Sequence, residues 1–267
     1  MRSGMRGVFL CGVFAAGLSL TPAQAASGCP EKPSLVIVAL FDLSGSTGSS
    51  RQRYLQDFES VIDRFTASRG GQVPFNGEVL IAGDTITENS LASSTFPIYG
   101  CFPEYSMWKS NPRSHASAMV RGQDAFREQA RKLLGSDSSA KQTDILNSLA
   151  LSEKVFGGVA GRGASHKYLL IFSDMVEEGA RYNFLKRDLS AAGIRGILEA
   201  ERRGGTLAKL AGVTVWVSGA AAGAGTKMTP TRIREIQNFW TAYFEAAGAS
   251  LTQDRYSGTL VNFRLPE

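Results

Sequence analysis

A short stretch of the chain reads Asp-Leu-Ser-Gly-Ser and places three oxygen-bearing side chains close together, with the spacing Asp42-x-Ser44-x-Ser46. This spacing predicts one tight turn, in which Gly45 and Gly48 would give the backbone room to curl. Carboxylate and hydroxyl oxygens gathered in one turn can surround a small, hard cation. The stretch therefore suggests a metal site.

Two more residues complete the candidate ligand set. Asp174 follows an apolar run at 168–172, as Asp42 follows one at 35–41, and Thr143 precedes a helical pattern at a position that suits an N-cap. Every candidate ligand atom is oxygen, which favours Mg²⁺, with Mn²⁺ and Ca²⁺ as alternatives, over zinc. Because only two of the ligands are carboxylates, we expect water and one outside ligand to fill the remaining coordination positions.

The alternation of strand and helix patterns predicts an α/β fold. Four short apolar runs are typical of strands buried on both faces, at 35–41, 79–82, 168–172 and 213–217. Helical periodicity is found at 54–65, 116–134, 144–156, 194–210 and 233–243, and a last strand is predicted at 259–263. We expect a Rossmann-like, doubly wound, mostly parallel central sheet flanked by helices. Binding groups gather at the carboxyl ends of such strands, so Asp42 and Asp174 should share one edge.

The order of the candidate ligands resembles a known motif. Asp-Leu-Ser-Gly-Ser at 42–46, then Thr143, then Asp174 is similar to the metal-ion-dependent adhesion site of von Willebrand factor A (VWA) domains, over about residues 33–250. The resemblance implies that the two serines and the threonine bind the metal through their hydroxyls. It also implies that the aspartates contribute directly or through water.

The resemblance implies a metal-dependent protein-binding module rather than an enzyme, in which an acidic side chain of a protein partner completes the coordination of the cation. The chain departs from the family at two points. Met175 stands where the family usually has glycine, and Glu177-Glu178 add acidic residues at the rim of the predicted site. These departures bear on the affinity for metal and on the choice of ligand.

Three other interpretations remain open at this stage. A metal-dependent hydrolase could use the same cation to activate water, although no general base is evident and neither His115 nor His166 has the spacing of a catalytic group. A metal-independent envelope scaffold could bind through the long loop around Cys101 and Trp108. Alternatively, the aspartates could cap helices in a metal-free site.

Residues 1–25 have the layout of a secretory signal peptide. Arg2 and Arg6 precede an apolar run at 7–20, which ends shortly before Ala-Gln-Ala. The run is too short to span a bilayer, and no later stretch is apolar enough to do so. We therefore expect a periplasmic or secreted protein with no transmembrane segment after removal of the signal. Lipid attachment at Cys11 is a less favoured interpretation.

The remaining chain is expected to form one VWA-like domain at 26–267, with its core at about 33–250. A long segment near 85–113 lacks clear periodicity and is interpreted as a loop insertion, within which 95–101 could form a strand. No internal repeat or Pro-rich linker divides the chain.

Charge and cysteine content narrow the function further. Loss of the signal peptide removes two of the 29 basic residues and none of the 24 acidic ones, so the mature chain would carry a net charge of +3, too mild to indicate nucleic-acid binding. Export would place Cys29 and Cys101 in an oxidising compartment, where a disulfide is the expected outcome and two unpaired thiols are the alternative.

Overall fold

The computed structural model describes residues 29–65, 75, 77–87, 96–104, 111–136, 140, 142–222 and 228–266. The predicted signal peptide lies outside these ranges, as does Trp108 in the predicted loop insertion. No helix within the described ranges has the length and apolar character needed to cross a bilayer.

Strands and helices alternate along most of the described chain. The strands are Leu35–Asp42 (β1), Val79–Ile86 (β2), Ile98–Phe102 (β3), His166–Phe172 (β4), Val213–Ser218 (β5) and Tyr256–Ser257 (β6). The helices are Arg51–Asp63 (α1), Pro112–Leu134 (α2), Ile145–Gly157 (α3), Val159–Gly163 (α4), Ala191–Gly204 (α5) and Pro230–Ala246 (α6). A 3₁₀ turn at Gly45–Ser50 leads into α1, and a second one at Gln253–Arg255 precedes β6.

The six described strands form one sheet in the order β3-β2-β1-β4-β5-β6. All neighbouring pairs are parallel except β2 with β3, which is antiparallel. The prediction of a doubly wound, mostly parallel sheet is therefore confirmed, and the order is the common one for such folds. β1 pairs with β2 on one side and with β4 on the other, so the strand order reverses at β1. Ligand sites in open α/β sheets lie at such a point.

Helices cover both faces of the sheet because β1 is apolar on both sides. Val36, Val38 and Leu40 belong to a core shared with residues of α3, α5 and α6. Leu35 and Ile37 point to the opposite face and pack with residues of α1 and α2. Each fully buried Val, Leu or Ile side chain contributes about 1.5–3 kcal/mol, so β1 is held firmly between the two layers.

Two of the predicted elements differ from the structure near the C-terminus. The helix expected at 194–210 ends at Gly204, because Gly205 adopts a left-handed backbone (φ 66°) that terminates the helix. The strand expected at 259–263 is wrong. Leu260 and Phe263 are both buried while Val261 is 73% exposed, and the Phe263 N–H donates to the Leu260 carbonyl at 3.0 Å, so this segment is a turn.

The predicted loop insertion is more regular at its ends than expected. β2 extends to Ile86, the suggested strand is β3, and α2 begins at Pro112, with the Asn111 side chain accepting a hydrogen bond from the Arg113 N–H. The predicted disulfide between Cys29 and Cys101 is confirmed, with its Cα atoms 5.6 Å apart. It ties the N-terminal segment to the edge strand β3.

Candidate metal centre

Asp42 and Asp174 lie together at the point where the strand order reverses. Asp42 is the last residue of β1, and Asp174 follows the end of β4 by two residues. The preceding residues Phe41 and Phe172 are partners in the sheet and stack with ring centroids 4.6 Å apart. Both aspartates are buried, at 0% and 3% exposure. The predicted placement of the two carboxylates at one sheet edge is therefore correct.

The turn after β1 is organised around the Asp42 carboxylate. Its Oδ1 accepts the Ser44 N–H at 2.8 Å, and its Oδ2 accepts the Ser173 hydroxyl at 2.7 Å. The Thr47 hydroxyl donates to the Asp42 carbonyl at 2.8 Å and so links the two ends of the turn. The Ser44 and Ser46 hydroxyl oxygens lie 3.0 Å apart. The spacing Asp-x-Ser-x-Ser thus produces the expected cluster of oxygens.

The glycines of this turn do not have the role predicted for them. Neither Gly45 nor Gly48 adopts a positive φ, and a Cβ atom added to either would meet nothing within 4 Å. The 3₁₀ turn at Gly45–Ser50 uses ordinary right-handed geometry, which other residues also adopt. The curl of the backbone comes instead from the hydrogen bonds to Asp42.

Asp174 joins the same cluster. Its Oδ1 accepts the Val176 N–H at 3.1 Å. Burial, and then the charge of Asp42, raise the pKa of Asp174 to about 6, although the Ser46 side chain acts to lower it. Burial likewise raises the pKa of Asp42, although the Ser44 N–H and the Ser173 hydroxyl oppose the shift. Two buried carboxylates repel each other when both are ionised, and a cation bound between them would offset this repulsion.

Thr143 lies on a segment that touches both of the other stretches. The Ala140 N–H donates to the Leu43 carbonyl at 3.2 Å, next to Ser44, and the Glu178 N–H donates to the Thr143 carbonyl at 2.8 Å. The Thr143 side chain is buried. The prediction of Thr143 as the N-cap of α3 is wrong. The N-cap is Asp144, whose carboxylate accepts the Asn147 N–H at 3.1 Å. Capping therefore does not engage the Thr143 hydroxyl.

Arg51 is a positioning residue that sequence reasoning missed. Its Nη2 donates to the Leu43 carbonyl at 2.8 Å, and its Nη1 donates to the Ser136 carbonyl at 3.1 Å. The guanidinium group thus holds the turn after β1 against the connection between α2 and α3. Its charge also lowers the pKa of Asp42 slightly against the larger effect of burial. The only signal in the sequence is an arginine close after Ser46.

Glu177 is not at the rim, contrary to the prediction. It is buried, and its Oε2 accepts the N–H groups of Ile145 and Leu146 at 2.8 and 3.2 Å. It therefore satisfies the free N–H groups in the first turn of α3. Burial, and next the Asp144 charge, raise the pKa of Glu177 to about 8. Glu178 is only partly exposed, and its backbone binds the segment of Thr143.

The backbone conformation at Met175 accounts for the glycine that is usual at this position in the family that the motif resembles. Its φ is 66°, in the left-handed region that glycine adopts freely and other residues adopt at a cost of about 1–2 kcal/mol. Its side chain is buried in the core of α3, α5 and α6, and its carbonyl accepts the Trp240 indole N–H at 2.8 Å. Packing and this hydrogen bond therefore hold the strained backbone directly after Asp174.

The residues present fit a hard divalent cation. The donors are carboxylate and hydroxyl oxygens, which hard cations prefer. Only two of them are carboxylates, and the described ranges hold no group of three or more His, Cys, Asp or Glu side chains that could bind a metal. The site also has an open side, since Ser46 is exposed while Asp42 and Ser44 are buried. The fully buried Tyr54 hydroxyl has no hydrogen-bond partner, which costs about 1–3 kcal/mol in a closed protein interior.

Comparison with known proteins gives only remote similarities. No protein-family model and no curated protein matches the chain. Among solved structures, it is similar to the pilus adhesin SpaC of Lactobacillus rhamnosus GG (TM-score 0.43, 13% identity, 84% of this chain and 28% of that one). It is also similar to proximal thread matrix protein 1 of the mussel byssus (TM-score 0.37, 11% identity, 82% of this chain and 47% of that one). A third similar structure is that of the manganese-loaded TRAP protein of Plasmodium vivax (TM-score 0.31, 13% identity, 70% of this chain and 58% of that one). The chain spans less than two thirds of each of these structures.

Proposed function

We propose that the chain is an exported, VWA-like protein-binding module that holds one divalent cation, preferably Mg²⁺, at the switch point of its sheet. The observation that carries the proposal is the convergence of Asp42, Ser44, Ser46 and Asp174 at the adjacent ends of β1 and β4. Thr143 is the fifth ligand of the proposal, on a segment bonded to both neighbouring stretches. When bound, the cation supplies a positive centre with a coordination position open to an outside oxygen ligand.

An acidic side chain of a protein partner is the ligand that this arrangement favours. Two carboxylates and three hydroxyls leave part of the coordination shell of a divalent ion to water, so a carboxylate oxygen from a partner can replace a water molecule there. Access is provided on the side of the exposed Ser46. The connection after β5 also begins beside the site with small residues, since the Ala221 N–H lies 3.4 Å from the Asp174 carbonyl. A protruding aspartate or glutamate can therefore approach.

The same contacts argue against hydrolysis. His166 is the first residue of β4, at the end of the strand opposite to Asp174, and His115 contacts the Pro103 carbonyl at 3.2 Å. Glu177 is committed to the first turn of α3. Neither histidine nor Glu177 is thus placed as a general base beside the site, and we propose recognition without turnover. The disulfide between Cys29 and Cys101 supports an exported, periplasmic or secreted, location.

Substitution of Asp42 tests the proposal. We expect wild-type protein to gain thermal stability in millimolar MgCl₂ and to capture a protein from envelope extract that EDTA releases. Asp42→Ala should abolish the Mg²⁺-dependent stabilisation and the capture together. Asp124→Ala, which removes an exposed carboxylate on α2, is the matched control and should preserve both. Capture that persists in EDTA would contradict the proposal and favour a metal-independent scaffold.

A further inference from the structure

Tyr54 presents a polar group that the rest of the fold leaves unsatisfied. It lies on α1 with 0% exposure, and its hydroxyl has no hydrogen-bond partner. The ring is fixed, since it packs against Phe172 with centroids 6.0 Å apart. The Ser50 hydroxyl, one turn earlier, is occupied as the acceptor of the Arg53 Nη2–H at 3.1 Å. A buried hydroxyl in this state is uncommon in folded proteins and calls for a partner.

The surroundings of this hydroxyl place it at the candidate metal centre. It lies near Ser173, which directly precedes Asp174 and whose hydroxyl donates to Asp42 Oδ2 at 2.7 Å. Gly219, directly after β5, leaves room for it, because a Cβ atom at that residue would come within 2.5 Å of the Tyr54 Oη and 2.9 Å of the Ser173 carbonyl. The φ of Gly219 is also positive, at 97°. Glycine is therefore needed at 219, because a side chain there would displace the Tyr54 hydroxyl.

We propose that Tyr54 is a positioning residue of the metal centre, whose hydroxyl would donate a hydrogen bond to a water ligand of the cation. This role rests on the proposed function, since it requires that a cation binds. A tyrosine hydroxyl keeps its proton at neutral pH and can donate it. Tyr54 is fully buried whereas Ser46 is exposed, so the Tyr54 hydroxyl does not meet the partner. Its contribution is thus to cation affinity.

The proposal predicts opposite effects of Tyr54→Phe in the presence and absence of metal. Without a cation the hydroxyl has nothing to bind, so its removal should leave the melting temperature of the EDTA-treated protein unchanged or higher. With a cation the variant loses an outer hydrogen bond, and such losses typically weaken metal binding by 10–100-fold. We expect the Kd for Mg²⁺ and for Mn²⁺, measured by isothermal titration, to rise by at least about tenfold.

Tyr243→Phe is the matched control. Tyr243 is as deeply buried as Tyr54, but its hydroxyl accepts the Ala208 N–H at 3.2 Å, on the helical layer formed by α5 and α6. Its substitution should lower the melting temperature of the EDTA-treated protein and leave both metal affinities unchanged. The two tyrosines therefore separate a structural hydroxyl from one that serves the cation.

The outcomes are distinguishable. If wild type binds Mg²⁺ and Tyr54→Phe binds it equally well, the role of Tyr54 is overturned and the proposed function stands. A drop in the melting temperature of metal-free Tyr54→Phe, comparable to that of Tyr243→Phe, would overturn it as well. If wild type binds neither Mg²⁺ nor Mn²⁺, the proposed function fails and the role of Tyr54 fails with it.

Discussion

Glu177 stabilises the start of a helix, and the burial that this requires makes its carboxyl group harder to ionise. Its carboxylate accepts two N–H groups at the start of α3, and that helix carries Asp144 and follows Thr143. These hydrogen bonds favour the charged form, but burial and the neighbouring Asp144 charge outweigh them and raise the pKa of Glu177 from 4.5 to about 8. The folded protein therefore retains a proton here that the unfolded chain releases.

This shift predicts a pH dependence of stability. Between about pH 4.5 and pH 8 the folded state binds the Glu177 proton more strongly than the unfolded state. The contribution of this proton to the free energy of unfolding is therefore fully present below pH 4.5 and is lost as the pH rises to 8. Glu177→Gln keeps a hydrogen-bond acceptor but does not titrate. With EDTA present, we expect the variant to become progressively more stable than wild type as the pH rises from 5 to 8, measured by urea unfolding.

The exposed Glu199 on α5 provides the control for this experiment. Glu199→Gln should follow wild type at every pH. A constant difference in the free energy of unfolding between Glu177→Gln and wild type, from pH 5 to pH 8, would show that the Glu177 carboxylate is already ionised in the folded protein.

At the scale of elements, the edge strand β3 depends on a covalent link. Within the described part of the chain, β3 pairs only with β2, in antiparallel orientation, and the disulfide links it to the segment that precedes β1. The crosslinked residues are 72 apart in sequence. In the chain-entropy description, closing a loop of this length stabilises the folded state by about 4 kcal/mol, because it restricts the unfolded chain.

We therefore predict that the double variant Cys29→Ser and Cys101→Ser has a free energy of unfolding about 4 kcal/mol lower than that of wild type in chemical denaturation. Its affinity for Mg²⁺ should be unchanged. Cys101 pairs with Leu80 near the start of β2, whereas the metal centre is at the far ends of β1 and β4. Equal stability of the two proteins, or a loss of metal affinity in the variant, would disagree with this assignment.

The sequence predicted elements well where one physical signal dominated. Continuous apolar runs identified β1 and β4, together with the aspartates at their ends. Prediction failed where local patterns competed. The apolar pattern of α5 continues to Leu210, although Gly205 ends the helix, and Leu260 and Phe263 are buried through a turn rather than a strand. In both places the backbone conformation decided the outcome, and the apolar pattern alone could not.

Other features of the site could not be predicted because they depend on contacts between distant residues. The Glu177 carboxylate binds a helix more than 30 residues earlier in the chain, and Arg51 reaches across to Ser136. The conflict at Met175 was visible only as a departure from a motif. Its physical meaning, a positive φ held by Trp240 and the core, required the structure.

At the scale of the whole molecule, topology brings the site together. Asp42 and Asp174 are far apart in sequence and meet because β1 and β4 are neighbours in the sheet. Hydrogen bonds from Ala140 to Leu43 and from Glu178 to Thr143 then join the connecting segments. The cores on both sides of the sheet hold these strands in place, so the proposed oxygen ligands at the ends of β1 and β4 are positioned by the fold itself. Such preorganisation reduces the cost of binding.

The most direct test is the anomalous difference map of a crystal of the wild-type protein grown with MnCl₂. The account predicts one strong peak at bonding distance from the Ser44 and Ser46 hydroxyls, with Asp42, Thr143 and Asp174 around it, and a coordination position open on the Ser46 side. No peak at this position at saturating manganese, or a peak bound by other residues, would contradict it.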